Sequence, residues 1–535
     1  MVALAHVGGD RSDWARRGAR RRIPAWAPAL IFPLALVVAL AGCAVGPDYV
    51  PEAAPVPNTF KELKGWKVAT PSDQLDRGDW WAFYRDPKLA FLLKQVEISN
   101  QNVALQAAAY LQARAQIRVA QAALLPTVSA TYPATRSYNG PKTGVAGGIA
   151  AAAASGSYTS TFSPAFNGSW DLDVWGKVKR QIESNTAAAQ VSAADLDNAK
   201  LAAQAALATA YFNLRAADSL HALFVRYTAE YKKNLQIVTN QFKAGYSVTE
   251  GDVKTAEAQV LSVEAQALQA LLQRAQFEHA IAILIGRPPA ELSIGTHLLA
   301  GSIPRIPVSV PSALLERRPD IAAAERTMQE QNALIGVAIA GYYPDISLSG
   351  ALQWTGSQPA PFNVANIVWS LGATGTQVLF NGGLTGAQVD VARAVYYQSV
   401  ATYRETVLTA FQQVEDQLVA IRFLKQQVVL YEKAVADQRR AVDVFINQFQ
   451  AGTVAYTTVV QGEIILLQDE EALLTARQSL FLASVSLIEA LGGGWDANLL
   501  PTKEELKRDS TLFPQLPPNG AALRLDPPPD NPANH

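Results

Sequence analysis

The chain contains one cysteine, two methionines and five histidines in 535 residues. A single cysteine excludes an intramolecular disulfide framework and any cysteine-cluster metal site. His6, His221, His279, His297 and His535 are scattered, with no HExxH or comparable spacing. Met328 is the only methionine besides Met1, so there is no methionine ladder for soft metals. Charge is scarce as well: 17% of residues are charged, and the formal net charge is −1. That balance argues against nucleic-acid binding through bulk electrostatics. No catalytic constellation stands out, so nothing reads as an enzyme, and no cofactor or metal is implied. Apart from one stretch near the start, no apolar run is long enough for a transmembrane helix. The length allows a large core or several domains.

The exceptional stretch reads as an export address. Arg16, Arg17, Arg20, Arg21 and Arg22 precede an almost wholly apolar run from Ile23 to Ala41. The run ends Leu40-Ala41-Gly42-Cys43, which resembles a bacterial lipoprotein signal with Cys43 as the lipidated first mature residue. In such lipoproteins an alanine at position 44, rather than aspartate, implies sorting to the outer membrane. The competing reading is a signal anchor with an incidental cysteine. Loss of residues 1–42 removes six arginines and two aspartates, which takes 45 basic and 46 acidic residues to 39 and 44, a net charge of −5. Residues 43–87 then form a lipidated, proline-rich tether followed by a docked segment holding Trp80, Trp81, Phe83 and Tyr84.

Long helix-forming runs dominate the rest. Lys88 to Leu125, Lys177 to Ala244 and Asp252 to Ile285 are the first set; Pro319 to Ala340, Ala387 to Ala451 and Thr457 to Leu491 are the second. At 1.5 Å per residue the longest would reach roughly 100 Å, which no compact domain needs. The spacing predicts a long helix packed beside two shorter ones stacked end to end, with small residues allowing coiled-coil approach. An internal repeat supports this. Val119-Ala120 and Leu125-Pro126 recur 218 residues later as Val337-Ala338 and Tyr343-Pro344, and Gln241–Gly245 recurs 207 residues later as Gln448–Gly452. The repeats cover 88–300 and 301–495, and 496–535 reads as a disordered, proline-rich tail.

Each repeat carries two strand-like segments, about 127–136 and 158–174, then 345–354 and 367–380. They alternate apolar and polar residues. Phe162, Phe166, Trp170, Ile346, Leu348, Trp354 and Trp369 fall on the apolar side, as a strand with lipid on one face requires. A soluble sandwich with one wet face is the competing reading. Residues 137–156 and 355–366 read as mobile, exposed tips. Four strands cannot close a barrel in lipid, because open edges leave unsatisfied N–H and C=O groups. Several chains must pool strands, and three would give twelve, enough for an aqueous passage.

Four motifs together resemble the TolC-like outer-membrane efflux lipoproteins. They are Cys43–Tyr49 followed by Pro51, Leu314–Ile321 (LLERRPDI), Trp170–Lys177 (WDLDVWGK) and Leu379–Gly383 (LFNGG). The resemblance spans Cys43 to about Trp495. It implies a mainly α fold with a transmembrane β-barrel portion: a homotrimer with a twelve-stranded barrel and a long α-helical barrel in the periplasm. It also implies two partners, a periplasmic adaptor and an inner-membrane resistance–nodulation–division pump, with the duct passively passing drugs or other small toxic compounds. A type I protein secretion duct and a structural periplasmic coiled-coil spacer are the alternatives. On this resemblance, the turns at Gly245, Tyr246 and Ser247 and at Gly452, Thr453 and Val454 are the periplasmic tips that meet the adaptor. Glu250 and Asp252 are gate candidates, with capping of the returning helix as the other reading. Repeat two departs here: Thr457, Thr458 and Gln461 follow its turn, and its first acid is Glu463.

Overall fold

The structure is a computed structural model that describes residues 44–53, 56–57, 59–62, 80–140, 156–246, 248–301, 303–304, 306 and 314–508. The export segment 1–42, Cys43, Ser247, residues 141–155 of the first exposed tip and residues 509–535 of the tail lie outside the described residues.

The alanine- and glutamine-rich runs become helices because their residues lose little freedom in a helix and offer the backbone no competing partner. The first run is two helices, α1 (Pro87–Ser99) and α2 (Gln101–Ala122). Asn100 divides it. Its backbone is extended, and its side-chain oxygen accepts from the N–H groups of Asn102 and Val103 at 2.9 and 3.1 Å. The first repeat continues with β1 (Thr127–Thr131), β2 (Ala134–Asn139), β3 (Ser157–Phe162), β4 (Ala165–Leu172), α3 (Lys177–Lys243) and α4 (Glu250–Leu284). The second repeat begins with a single turn, Leu314–Arg317. It follows with α5 (Pro319–Ala340), β5 (Asp345–Trp354), β6 (Ile367–Thr376), α6 (Leu384–Gln450) and α7 (Tyr456–Ala490). Corresponding helices have equal lengths: 22 residues in α2 and α5, 67 in α3 and α6, 35 in α4 and α7.

The half-length helices stack end to end beside the long ones, and the two junctions are built alike. Asn100 Nδ2 donates to the Leu284 carbonyl at the end of α4 at 2.8 Å. At the position 218 residues later, Arg318 Nη1 donates to the Ala490 carbonyl at the end of α7 at 2.9 Å. Each ending helix turns on a left-handed glycine, Gly286 (φ 67°) or Gly492 (φ 89°). A Cβ built on Gly286 would lie well inside contact distance of the Ser99 carbonyl, and one on Gly492 likewise inside that of Arg317. The LLERRPDI motif therefore has a mechanical meaning. Pro319 opens α5 at its first turn, and Arg318 grips Asp320 with two bonds of 3.0 and 2.6 Å while closing the junction.

The strands form one sheet in the order β1-β4-β5-β6 and a separate ribbon of β2 and β3. The two long strands expected in the first repeat are thus each split in two. Pro133 and Pro164 sit at the breaks, where each lacks the N–H that a ladder needs. Strand β6 ends at Thr376 rather than continuing to position 380, because its partner β5 begins at Asp345, just after Pro344. The loop 355–366 is exposed but closed by its own bonds: Phe162 and Gly356 exchange two backbone bonds, and Thr355 N–H donates to the Asn366 carbonyl at 3.1 Å.

The main core lies midway along the long helices. Leu207 and Leu214 of α3, Val407 and Leu418 of α6 and Leu487 of α7 are fully buried there with Leu89 and Leu93 of α1. The aromatic segment docks as expected: Trp80 is buried and donates to Gln204 Oε1 at 3.1 Å, and the Tyr84 hydroxyl meets Ser484 Oγ at 2.7 Å. Two expectations need correction. The proline-rich segment is no free tether, since Tyr49 bonds Glu325, Phe60 is buried against Phe411, and Glu62 pairs with Arg422. The tail is ordered as far as α8 (Lys503–Arg508): Trp495 donates to Asp197 at 2.8 Å, Gln190 donates to the Pro501 carbonyl at 2.9 Å, and Leu506 is buried with Ile117 and Ile182. No helix among the described residues is long and apolar enough to cross a membrane.

Candidate functional site

Two regions carry the residues singled out from the sequence: one face of the sheet, and the turns at the far ends of the long helices. On the sheet the register decides which side chains share a face, because directly opposed residues point the same way. Phe166 opposes Leu352, Trp170 opposes Leu348, and Leu172 opposes Ile346. Leu352 opposes Trp369, Gly350 opposes Leu371, and Trp354 opposes Ile367. Phe166, Trp170, Ile346, Leu348, Trp354 and Trp369 therefore lie on one face, with Val128 and Ala130 of β1 continuing it. The opposite face carries Thr127, Ser129, Asn167, Ser169, Ser347, Ser349, Ser370 and Thr374, with carboxylates only at its foot, Asp171 and Asp345. Leu371 and Trp369 on the apolar face are 81% and 70% exposed, far outside what a soluble face tolerates. Phe162 is not part of this set. It belongs to the β2–β3 ribbon, opposite Ala134, beyond the proline breaks.

At the foot of the sheet the chain turns into α3 through Gly176, whose φ is 74°. Asp173 supplies the cap that glycine cannot, accepting from the N–H groups of Val178 and Lys179 at 3.0 and 2.8 Å. The segment from Ala44 to Asp48 is seated here. Val45 N–H donates to the Trp175 carbonyl at 3.0 Å, and Ala44 lies where any side chain on Gly176 would go. Gly46 passes against Gly336, a Cβ on the first falling 2.5 Å from the Cα of the second. Arg180 clamps the segment: Nε donates to the Val45 carbonyl at 3.1 Å, and Nη2 to the Gly46 carbonyl at 3.2 Å and to Asp48 at 2.8 Å. Sequence reasoning missed Arg180, because its partners lie over 130 positions away.

The far turns have the same geometry in both repeats. Gly245 N–H bonds the Phe242 carbonyl and Tyr246 N–H the Gln241 carbonyl, each at 3.1 Å; Gly452 and Thr453 repeat this on Phe449 and Gln448 at 3.0 and 2.9 Å. Both glycines are left-handed (φ 74° and 72°), with open space around them. Tyr246 is 70% exposed, and Thr453 Oγ1 adds a second bond to the Gln448 carbonyl at 2.9 Å. Val454 lies on the same exposed turn, while Ser247 falls outside the described residues.

Asp252 closes a capping box at the start of α4. Its carboxylate accepts from Thr249 N–H at 2.8 Å, and Thr249 Oγ1 accepts from Asp252 N–H at 3.2 Å. Glu250 stands in the same first turn. The second repeat has no such box: Ala455 is the cap of α7 and offers no side-chain bond.

Above the turns, α3 and α7 meet along a polar seam that patterning did not reveal. Asn234 bonds Glu463, Arg226 bonds Glu470, and Gln478 donates to Asn213 at 2.7 Å. Glu470 also holds Arg439 of α6, so one carboxylate ties three helices together. Glu463 was visible in the sequence only as the first acid after the second turn. Burial, opposed in part by the Asn234 bond, pushes its carboxyl up to about 7.

Comparison with known proteins now adds to the geometry. The family model described as outer membrane efflux protein matches residues 92–287 and 310–493, more than half of the chain. The cation efflux system protein CusC of Escherichia coli O6:H1 is 26% identical over 472 residues, covering 88% of this chain and 99% of that protein. The pyoverdine export outer membrane protein OpmQ of Pseudomonas aeruginosa is 29% identical over 469 residues, covering 86% and 95%. Among solved structures, the outer-membrane channel OprN superposes with a TM-score of 0.76 at 26% identity, covering 85% of this chain and all of that one.

Proposed function

Because this chain belongs to the outer membrane efflux protein family, it is an outer-membrane efflux channel, and we propose that three copies form the exit duct of a tripartite pump. The observation that carries the proposal is the single apolar face running in register across all four strands, with β1 and β6 each paired on one side only. Pooled from three chains, twelve strands close without an edge, put the apolar face against lipid and turn the hydroxyl-rich face to a wet lumen. Lysine at Leu371 would then sit in lipid and cost roughly 2 kcal/mol per chain. Leu371→Lys is expected to cut the yield of heat-modifiable trimer in outer-membrane fractions, while Ser370→Lys, one residue away on the other face, leaves it near wild type. Equal yields for the two variants would defeat the orientation.

In this reading Cys43 carries the lipid. The seat of Ala44 beside Gly176 supports it, since Ala44 lies at the foot of the sheet, where lipid begins in this reading. Anchoring by more than one acyl chain is stable. The far turns are the periplasmic tips, with Gly245, Tyr246, Gly452, Thr453 and Val454 offered to an adaptor. An inner-membrane pump of the resistance–nodulation–division type supplies the energy, and the duct performs no chemistry. The cargo is small organic compounds. Met328, the one described methionine, is fully buried in the main core.

Glu250 and Asp252 from three chains place six carboxylates around the tip, which supports a role in holding the resting duct shut to anions. The double substitution Glu250→Ala, Asp252→Ala is expected to raise single-channel conductance in planar bilayers and to admit antibiotics that the wild type excludes. Unchanged conductance, with fraying of the first turn of α4 alone, would reduce both residues to helix caps worth about 1 kcal/mol.

A further inference from the structure

Three buried polar atoms near the tip have no hydrogen-bond partner: Glu463 Oε2, the Tyr231 hydroxyl and the Tyr456 hydroxyl. Their residues are 5%, 3% and 4% exposed. The three are neighbours. Burial first, and then the adjoining Glu463 carboxyl, push both phenols above their ordinary range. They lie at the level where α7 leaves its turn and packs on α3, with Val442, Val460, Leu466 and Leu467 as surrounding core. Unpartnered buried polar groups are costly, and a cluster of them in a native fold calls for an explanation.

We propose that Glu463 is a proton-operated fastener between α7 and α3. When it is neutral, no charge is buried at Oε2 while Oε1 keeps the bond from Asn234, so the seam is dry and closed. When the proton leaves, a carboxylate with one unsolvated oxygen remains among apolar side chains. Water must then enter, and the seam loosens.

Among the described residues no cation forms an ion pair with Glu463, and Lys233 is exposed. Arg226 from α3 and Arg439 from α6 are both held by Glu470 of α7. Glu230 and Lys233 from α3 and Asp443 from α6 face the same cleft of about 430 Å³, and Asp252 of α4 acts on Tyr456. Glu230 is an acid and works against ionisation of Glu463. The cleft gives protons a path to the site.

The sign follows from linkage. The folded carboxyl holds its proton more tightly than an unfolded one of ordinary value 4.5, so the fastening is complete below pH 4.5 and is lost as pH rises through about 7. Local opening of the seam should increase on the order of 10²-fold over that span. Only its bearing on conduction rests on the reading of the far turns as the duct's periplasmic end.

The test uses the full-length protein in detergent, with amide hydrogen exchange at α7 and the facing part of α3 between pH 4.5 and pH 8.5. Rates are corrected for the intrinsic pH dependence of exchange, and conductance is recorded in planar bilayers over the same range. Protection at 456–470 is expected to fall with a midpoint near neutrality in the wild type and to stay flat in Glu463→Gln. Glu463→Met, also neutral and of similar size, carries the same expectation should the glutamine variant misfold. Identical pH profiles in wild type and neutral variants would overturn the fastener. A Glu463-dependent exchange transition without a conductance change would leave the fastener standing and defeat the reading of the tip as the place where flow is controlled.

Discussion

Gly492→Ala is expected to abolish assembly of the protein, with degraded or aggregated chain and no heat-modifiable trimer in outer-membrane fractions. Two costs add. The residue sits at φ 89°, where an L side chain costs about 1–2 kcal/mol. Its Cβ would also overlap the backbone carbonyl of Arg317, and a backbone atom cannot swing aside as a side chain can, which adds about 1–3 kcal/mol or more. The damage is not local. Separating Gly492 from Arg317 also pulls Arg318 from the Ala490 carbonyl and from Gln413 of α6, so three helices lose their common joint. Gly286→Ala makes the same intrusion on Ser99 and should fail in the same way. Near-normal yield of either variant would show that the stacked helices can slide apart by more than an ångström at no cost. Gly245→Ala is the control: its φ is similar but its surroundings are empty, so only the conformational cost remains.

Arg180→Ala is expected to free the segment 44–52 while the helical body stays folded. The guanidinium side chain is 6% exposed, and each of its four bonds holds something down. The pair with Asp48 contributes little, because that carboxylate is 92% exposed. The weight falls on the carbonyls of Val45 and Gly46, where charge-assisted bonds contribute about 1.5–3 kcal/mol each. With roughly 3 kcal/mol gone, residues 44–52 should become open to limited proteolysis at protein concentrations where the wild type is resistant. Lysine should not rescue, since a single ammonium cannot present the planar fork that reaches both carbonyls. Continued protection of the segment in Arg180→Ala would show that the glycine contacts with Gly336 and Gly176 suffice.

Much of this architecture was legible in the sequence, and the exceptions have physical causes. The strand faces were readable because period-two alternation needs no partner to be seen, and the register confirmed the face of Phe166, Trp170 and Trp369 without a slip. The long helices were readable from the absence of glycine and proline throughout α3 and, in α6, from Ala387 onward. Asn100 was not. An asparagine inside an alanine-rich run breaks a helix only when its amide has something to hold, and the Leu284 carbonyl is 184 positions away. The ordered part of the tail was hidden for the same reason: Leu506 is an isolated leucine until Ile117 and Ile182 close around it. Phe162 was misassigned because alternation runs on through Pro164, whereas the ladder does not.

The equal helix lengths of the two repeats bear on how such a chain can change over evolutionary time. The offset between repeats is 218 residues before the strands, 207 along the long helices and 206 after the far turns, so eleven residues of the difference lie in the strand region and one in the turn. In the proposed trimer each chain contributes two long helices and two end-to-end stacks, and all of them must end in the same plane or the rim cannot close. One inserted residue would lengthen its helix by about 1.5 Å and rotate everything beyond it by roughly 100°. It would carry both the seam and the turn out of alignment with their neighbours. The helices are therefore dimensionally frozen, and variation in length falls on the segments that join them, above all the hairpins.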